Sequence, residues 1–199
     1  DRGLVAPGKR ADLVVISSLE NCNVTKVFCA GRLVDSSSFN TRQKISDVGR
    51  FSVKAPKVVP SDFKVDVSCD IADVIGIIDS KIITEHLTEI IPVVSGDQVP
   101  DTSRDLIRIS VVERHGFNGN ISNGFVKGFG LKSGAIASTV AHDHHNIVVI
   151  GTNYEDIAVA VNRLTEIEGG FVIVDNGKLI EELSLPLAGL MSLQPFESV

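Results

Sequence analysis

The chain has 199 residues, 43% of them apolar and 22% charged, which suits one ordinary domain, or one domain plus an annex, and excludes a disordered tail or a coiled-coil rod. Lys and Arg total 19 against 25 acids, so the formal net charge is −6 and a cationic surface for nucleic acid is not expected. The longest apolar runs, such as Ile147 to Ile150, are strand-length and far below the roughly 20 residues of a membrane helix, so no membrane partner is expected either. The first residue is Asp1 rather than Met, and a piece of a longer protein is expected.

In chain order, residues 1–35 hold two strand-like runs, Ala11 to Ile16 and Val24 to Cys29. Pro7-Gly8 and Ala30-Gly31 punctuate them. Two short strands cannot bury a core alone, so they read as the tail of a small β-domain. Residues 36–60 read as a connector, a solvated linker or a surface-hugging arm, because no periodicity is sustained there. Residues 61–199 carry the main core. Phe63, Val65 and Val67 alternate with polar neighbours and suggest a half-buried strand. Val74 to Ile78 and Leu106 to Glu113 are further strands, the second with Ile107, Ile109 and Val111 on one face. Phe125 to Leu131 and Ala135 to Ala141 flank Lys132-Ser133-Gly134 and suggest a hairpin.

The clearest unit runs from Asn146 to Leu183. Ile147 to Ile150 is a buried strand, and Thr152 to Glu155 fits a capping box. Ile157, Ala160, Val161, Leu164 and Ile167 then fall on one helical stripe. Gly169-Gly170 ends the helix, Phe171 to Val174 is the next strand, and Asn176-Gly177 turns the chain back antiparallel. The fold class is therefore α+β: a mixed sheet with a strand–helix–strand–hairpin unit.

Chemistry concentrates in Ala141-His142-Asp143-His144-His145-Asn146, between two strands. Histidine and aspartate together can ligate a metal or move protons near neutral pH. Equally, such residues cap backbone groups in a polar turn. Glu113-Arg114-His115 follows an apolar strand directly; a carboxylate beside an imidazole can orient its tautomer or act as a base, and equally Glu113 and Arg114 read as ordinary surface charges at a strand end. Gly124, Gly128, Gly130 and Gly134 precede a strand rather than a helix, so close packing is expected rather than dinucleotide binding. His86 has no local partner in sequence. Cys22, Cys29 and Cys69 form no CxxC pair and read as buried free thiols of a reducing compartment, hence a cytoplasmic location. HExxH, GxSxG, P-loop and PCxxC motifs are absent, and no complete active site is present in the sequence.

Two stretches resemble a known family. Gly3-Leu4-Val5-Ala6-Pro7-Gly8-Lys9-Arg10-Ala11-Asp12-Leu13-Val14-Val15-Ile16, with Val27 to Val34, resembles the segment after the barrel in metal-dependent amidohydrolases, where strands return to a small β-sandwich. Ser110 to Gly116, Gly124 to Leu131, Gly134 to Asp143, His145 to Asn153, Ala160 to Leu164 and Leu185 to Ser192 resemble the C-terminal domain of bacterial adenine deaminases. The resemblance implies a parent enzyme that hydrolyses adenine to hypoxanthine and ammonia in purine salvage. It further implies a divalent metal, Mn or Fe, held by a barrel outside this chain, no metal held by this chain, and a homo-oligomer. Family members carry a small polar residue where this chain has His144. That singles out His142, Asp143 and His145, with Glu113, as candidates for closing the active site. The alternative is an assembly or binding domain of another amidohydrolase.

Overall fold

In the computed structural model, which describes residues 1–40, 46–65 and 69–199, the chain divides into two compact units, Asp1–Ser46 and Asp47–Val199. The first unit is a three-stranded antiparallel sheet: β1 (Leu13–Ile16), β2 (Val24–Cys29) and β3 (Arg32–Val34) in that order. The third strand was not expected. It forms because Ala30 and Gly31 both take positive φ, +51° and +78°, the geometry of a two-residue hairpin turn. Asp12 fastens this turn by accepting the Ala30 N–H at 2.7 Å, while Arg2 and Arg10 flank its carboxylate. Those contacts, led by the Ala30 amide, hold Asp12 down to a pKa of about 2. No described residue of this unit is buried.

The second unit is built on an eight-stranded sheet. Its strands are β4 (Ile71–Ile77), β5 (Thr84–Ile90), β8 (Leu106–Val112), β9 (Ile121–Lys127), β10 (Ala135–Ser138), β11 (Ile147–Gly151), β12 (Gly170–Asp175) and β13 (Lys178–Ser184). The short pair β6 (Val93–Val94) and β7 (Asp97–Gln98) stands apart. The spatial order is β13-β12-β10-β11-β8-β9-β4-β5, and β4 with β9 is the parallel pair. The sheet is thus mixed, as the sequence indicates.

Helix α1 (Tyr154–Glu166) covers one face. Ile157, Ala160, Val161 and Leu164 are fully buried against Ala137, Ile147, Val149, Val172 and Val174. The expected stripe is therefore the core. The helix start differs from expectation. Asn153, one residue later than Thr152, is the N-cap and accepts the Asp156 N–H at 2.7 Å. Thr152 instead bonds the Gly134 carbonyl through both its amide and its hydroxyl. Buried Asp156 then accepts the N–H groups of Asn176 and Gly177, tying the helix start to the turn between β12 and β13. Asn176 and Gly177 both have positive φ, +52° and +73°, as a type I′ turn requires.

Several local expectations give way to long-range pairing. Phe125 to Leu131 and Ala135 to Ala141 do not form a hairpin: β9 pairs with β8 and β4, and β10 pairs with β11 and β12. Phe63 ends a short 3-10 helix, Pro60–Phe63, rather than sitting in a strand, since proline favours a helical first position. Val67 lies outside the described residues. Residues expected as connector enter the core: Val53 and Val58 are buried, and the Asn162 side chain brackets Val58 with two backbone hydrogen bonds. On β8, Ile107 is buried on the expected face, yet the opposite face is buried too, through Leu106, Arg108, Ser110 and Val112. The three cysteines are exposed, not buried, because they lie in the thinly packed first unit and at the entry to β4.

Candidate functional site

Register places the candidate residues at one end of the sheet. Val112, the last residue of β8, pairs with Ile147, the first of β11. The loop after β8 and the turn before β11 are therefore neighbours, as the two sequence clusters would need.

Glu113 serves its own loop. Its carboxylate accepts the backbone N–H groups of His115, Phe117, Asn118 and Gly119 at 2.5–3.3 Å. Desolvation pushes its pKa up, but the four amides outweigh it and hold the carboxyl below its ordinary value. A carboxylate so occupied has little capacity left for proton transfer.

The histidine turn is closed by the His145 N–H donating to the Ala141 carbonyl at 2.7 Å, with His145 at φ +49°. The chain is turned here, so His142 and His144 do not share a strand face. His142 and Asp143 project outward, their side chains 98% and 90% exposed, with Nδ1 2.9 Å from Oδ1. His144 is exposed too, but it bends back along the backbone, where its Nδ1 accepts the Asn146 N–H at 3.0 Å. The Nδ1 of His145 is buried without a hydrogen-bond partner.

Arg114 is not the ordinary surface charge that its place at a strand end suggests. It is 2% exposed. Its Nε donates to the His145 carbonyl, its Nη2 donates to the Ala188 carbonyl at 2.9 Å, and its backbone N–H meets Asn146 Oδ1 at 3.4 Å. Burial lowers its pKa from the ordinary guanidinium value. His115 adds a second tie, its Nε2 donating to the His144 carbonyl at 3.0 Å.

A second buried arginine, Arg108, sits under the sheet rather than at this end. It donates to the Gln98 carbonyl and Tyr154 hydroxyl and lies 4.2 Å from the centre of the Phe125 ring. Its only sequence signal is a charge in the middle of an apolar strand. The glycine-rich stretch closes on the protein itself: the Gly128 and Gly130 amides donate to the Asp105 carboxylate at 3.0 and 2.8 Å. His86 has a partner that sequence proximity hides, Asp73 at 2.9 Å on the neighbouring strand. Among the described residues, no group of three or more His, Cys, Asp or Glu side chains is arranged to hold a metal ion.

Residues 81–199, more than half of the chain, match the family described as the adenine deaminase C-terminal domain. The chain belongs to that family. It is 55% identical over 199 residues to the adenine deaminase of Brucella abortus (strain 2308), covering 100% of this chain and 34% of that protein. It is 57% identical over the same length to the Brucella anthropi adenine deaminase and 53% identical to that of Cereibacter sphaeroides (strain ATCC 17025), each covered to 35%. The chain thus spans about a third of the length of these curated relatives. Among the described residues, no helix is long and apolar enough to cross a membrane.

Proposed function

We propose that this chain is the C-terminal part of a cytoplasmic, homo-oligomeric amidohydrolase that hydrolyses adenine to hypoxanthine and ammonia in purine salvage. Identity of 53–57% along the whole chain to proteins named adenine deaminase carries this reading. Water adds at the amino-bearing ring carbon and the amino group leaves as ammonia. The divalent metal such chemistry uses, Mn or Fe, is assigned in this reading to a barrel outside this chain. The sheet β1-β2-β3 is proposed as part of the small β-sandwich beside that barrel, a reading supported by the exposure of its apolar residues Val14, Val24 and Leu33.

Within this reading, His142, Asp143 and His145 close the adenine site and orient substrate or water. The outward pair His142 and Asp143 is the part of the turn placed to touch a ligand. Glu113 contributes by shaping the adjacent loop through its four amide contacts. The test compares a polypeptide of the relatives' full length carrying this sequence with this chain alone, both supplied with Mn or Fe. Adenine loss and ammonia release are expected from the longer protein only. Turnover by the chain alone, or none by the longer protein, overturns the reading.

A further inference from the structure

We propose that Arg114, assisted by His115, is the positioning residue that fixes the His142–His145 turn. This inference rests on the reading of that turn as part of the adenine site. Strand β8 ends at Val112 and runs into Glu113-Arg114-His115, and each of these three side chains has a different task. Glu113 holds the loop that follows it. Arg114 reaches sideways to the His145 carbonyl and to the Ala188 carbonyl of the loop near the C-terminus. His115 reaches the His144 carbonyl. Two consecutive carbonyls of the turn are thus held by two consecutive side chains of the loop that follows β8.

The energetics favour a geometric role for the arginine. Its guanidinium is buried, and the hydrogen bonds it makes run to neutral carbonyls rather than to a carboxylate. Such a charge is costly to desolvate, and a leucine or methionine would fill the same space more cheaply. An apolar replacement, however, would leave the His145 and Ala188 carbonyls without their donor. His145 also sits at φ +49°, a conformation a non-glycine residue keeps only when its surroundings impose it. The Ala141 bond and the Arg114 bond are the impositions. Space around the guanidinium is tight: a Cβ at Gly189 would lie 3.0 Å from Arg114 Cζ. The outcome is a turn whose backbone is anchored from within while His142 and Asp143 remain free to meet a ligand.

The experiment uses the full-length enzyme and measures amide exchange of residues 141–146 together with kcat and KM for adenine. Arg114→Gln is expected to speed exchange of the turn and to lower kcat about tenfold each, the scale of one hydrogen bond to a charged group, with KM little changed. Arg114→Lys should recover part of both. Should Arg114→Gln not fold, His115→Ala keeps the test alive, because His115 is exposed and its loss should loosen the turn and lower kcat in the same direction by a few-fold. A turn that exchanges at the normal rate in these variants overturns the clamp. A loosened turn with normal kcat overturns the positioning role, provided His142→Ala lowers kcat. Normal turnover in both His142→Ala and His145→Ala is a distinct result that overturns the reading of the site itself.

Discussion

Strands β2 and β12 have the same length and similar apolar content, yet they end in opposite environments. In β2, Val24 and Val27 remain 53% and 36% exposed, whereas Val172 and Val174 of β12 are fully buried. The difference is the second layer. Strand β12 lies under α1, which brings Val161 and Leu164 onto the sheet, and the segment from Asp47 adds Val53 and Val58. The first unit has no helix of comparable length among its described residues, and its three strands offer apolar side chains with nothing of their own to bury them. A short apolar run in sequence therefore specifies a strand, while burial requires a layer that the strand does not encode. The same lesson holds within the second unit. Phe171 and Ile173, on the face of β12 away from α1, are 40% and 39% exposed.

Four measurements sharpen or break this comparison. Leu164→Ala removes the centre of the α1 layer and should cost about 2–5 kcal/mol, read by urea unfolding of the second unit. A loss under about 0.5 kcal/mol would mean that the layer does not carry the core. Asp156→Ala should cost about 1–3 kcal/mol, since it removes the carboxylate that accepts from the Asn153 side-chain amide and orphans the Asn176 and Gly177 amides. An unchanged midpoint in thermal melting would show that the turn holds without it.

The third measurement separates the units by pH. Glu113 and Asp12 both have folded pKa values below their ordinary ones, so each contributes stability that is present above the unfolded value and lost as pH falls through the folded value. For Asp12 that window runs from 3.8 down to about 2. Acid titration followed by amide protection should therefore loosen residues 115–119 through Glu113, and Glu113→Gln should weaken their protection already at neutral pH. The 30–31 turn should loosen only as pH falls toward about 2; protection of residues 115–119 that is unchanged in Glu113→Gln would mean that this carboxylate is not the cause. The smallest effect is expected in the first unit. Val27→Ala should change the stability of this chain by less than about 0.5 kcal/mol, because the side chain keeps much of its solvent contact. A larger loss in the longer polypeptide than in this chain would reveal a layer supplied from outside.

The histidine turn marks the limit of what spacing reveals. The density of histidines in residues 142–145 identified the segment, and register brought it beside Glu113-Arg114-His115. Which side chains project outward was not legible, because it follows from the φ of His145 and from an arginine 31 residues away in sequence. Arg114 carried no signal of its own. A buried cation is recognised only when its carbonyl partners are in place.

By itself, the sequence determined the elements whose causes are local. The Ile157–Leu164 stripe, the Asn176-Gly177 turn and the strands Leu106–Val112 and Ile147–Gly151 depend on side-chain period and on turn residues that tolerate positive φ. The tertiary structure decided what depends on partners far along the chain. It chose strand order over the expected β9–β10 hairpin, because β8 supplies a full-length ladder to β9 while α1 returns the chain so that β10 lies between β11 and β12. It moved the helix cap from Thr152 to Asn153, because Thr152 is claimed by Gly134 on a neighbouring segment. It also turned Glu113 from a candidate base into a loop anchor, since four amides of one loop satisfy a carboxylate more completely than any single distant partner.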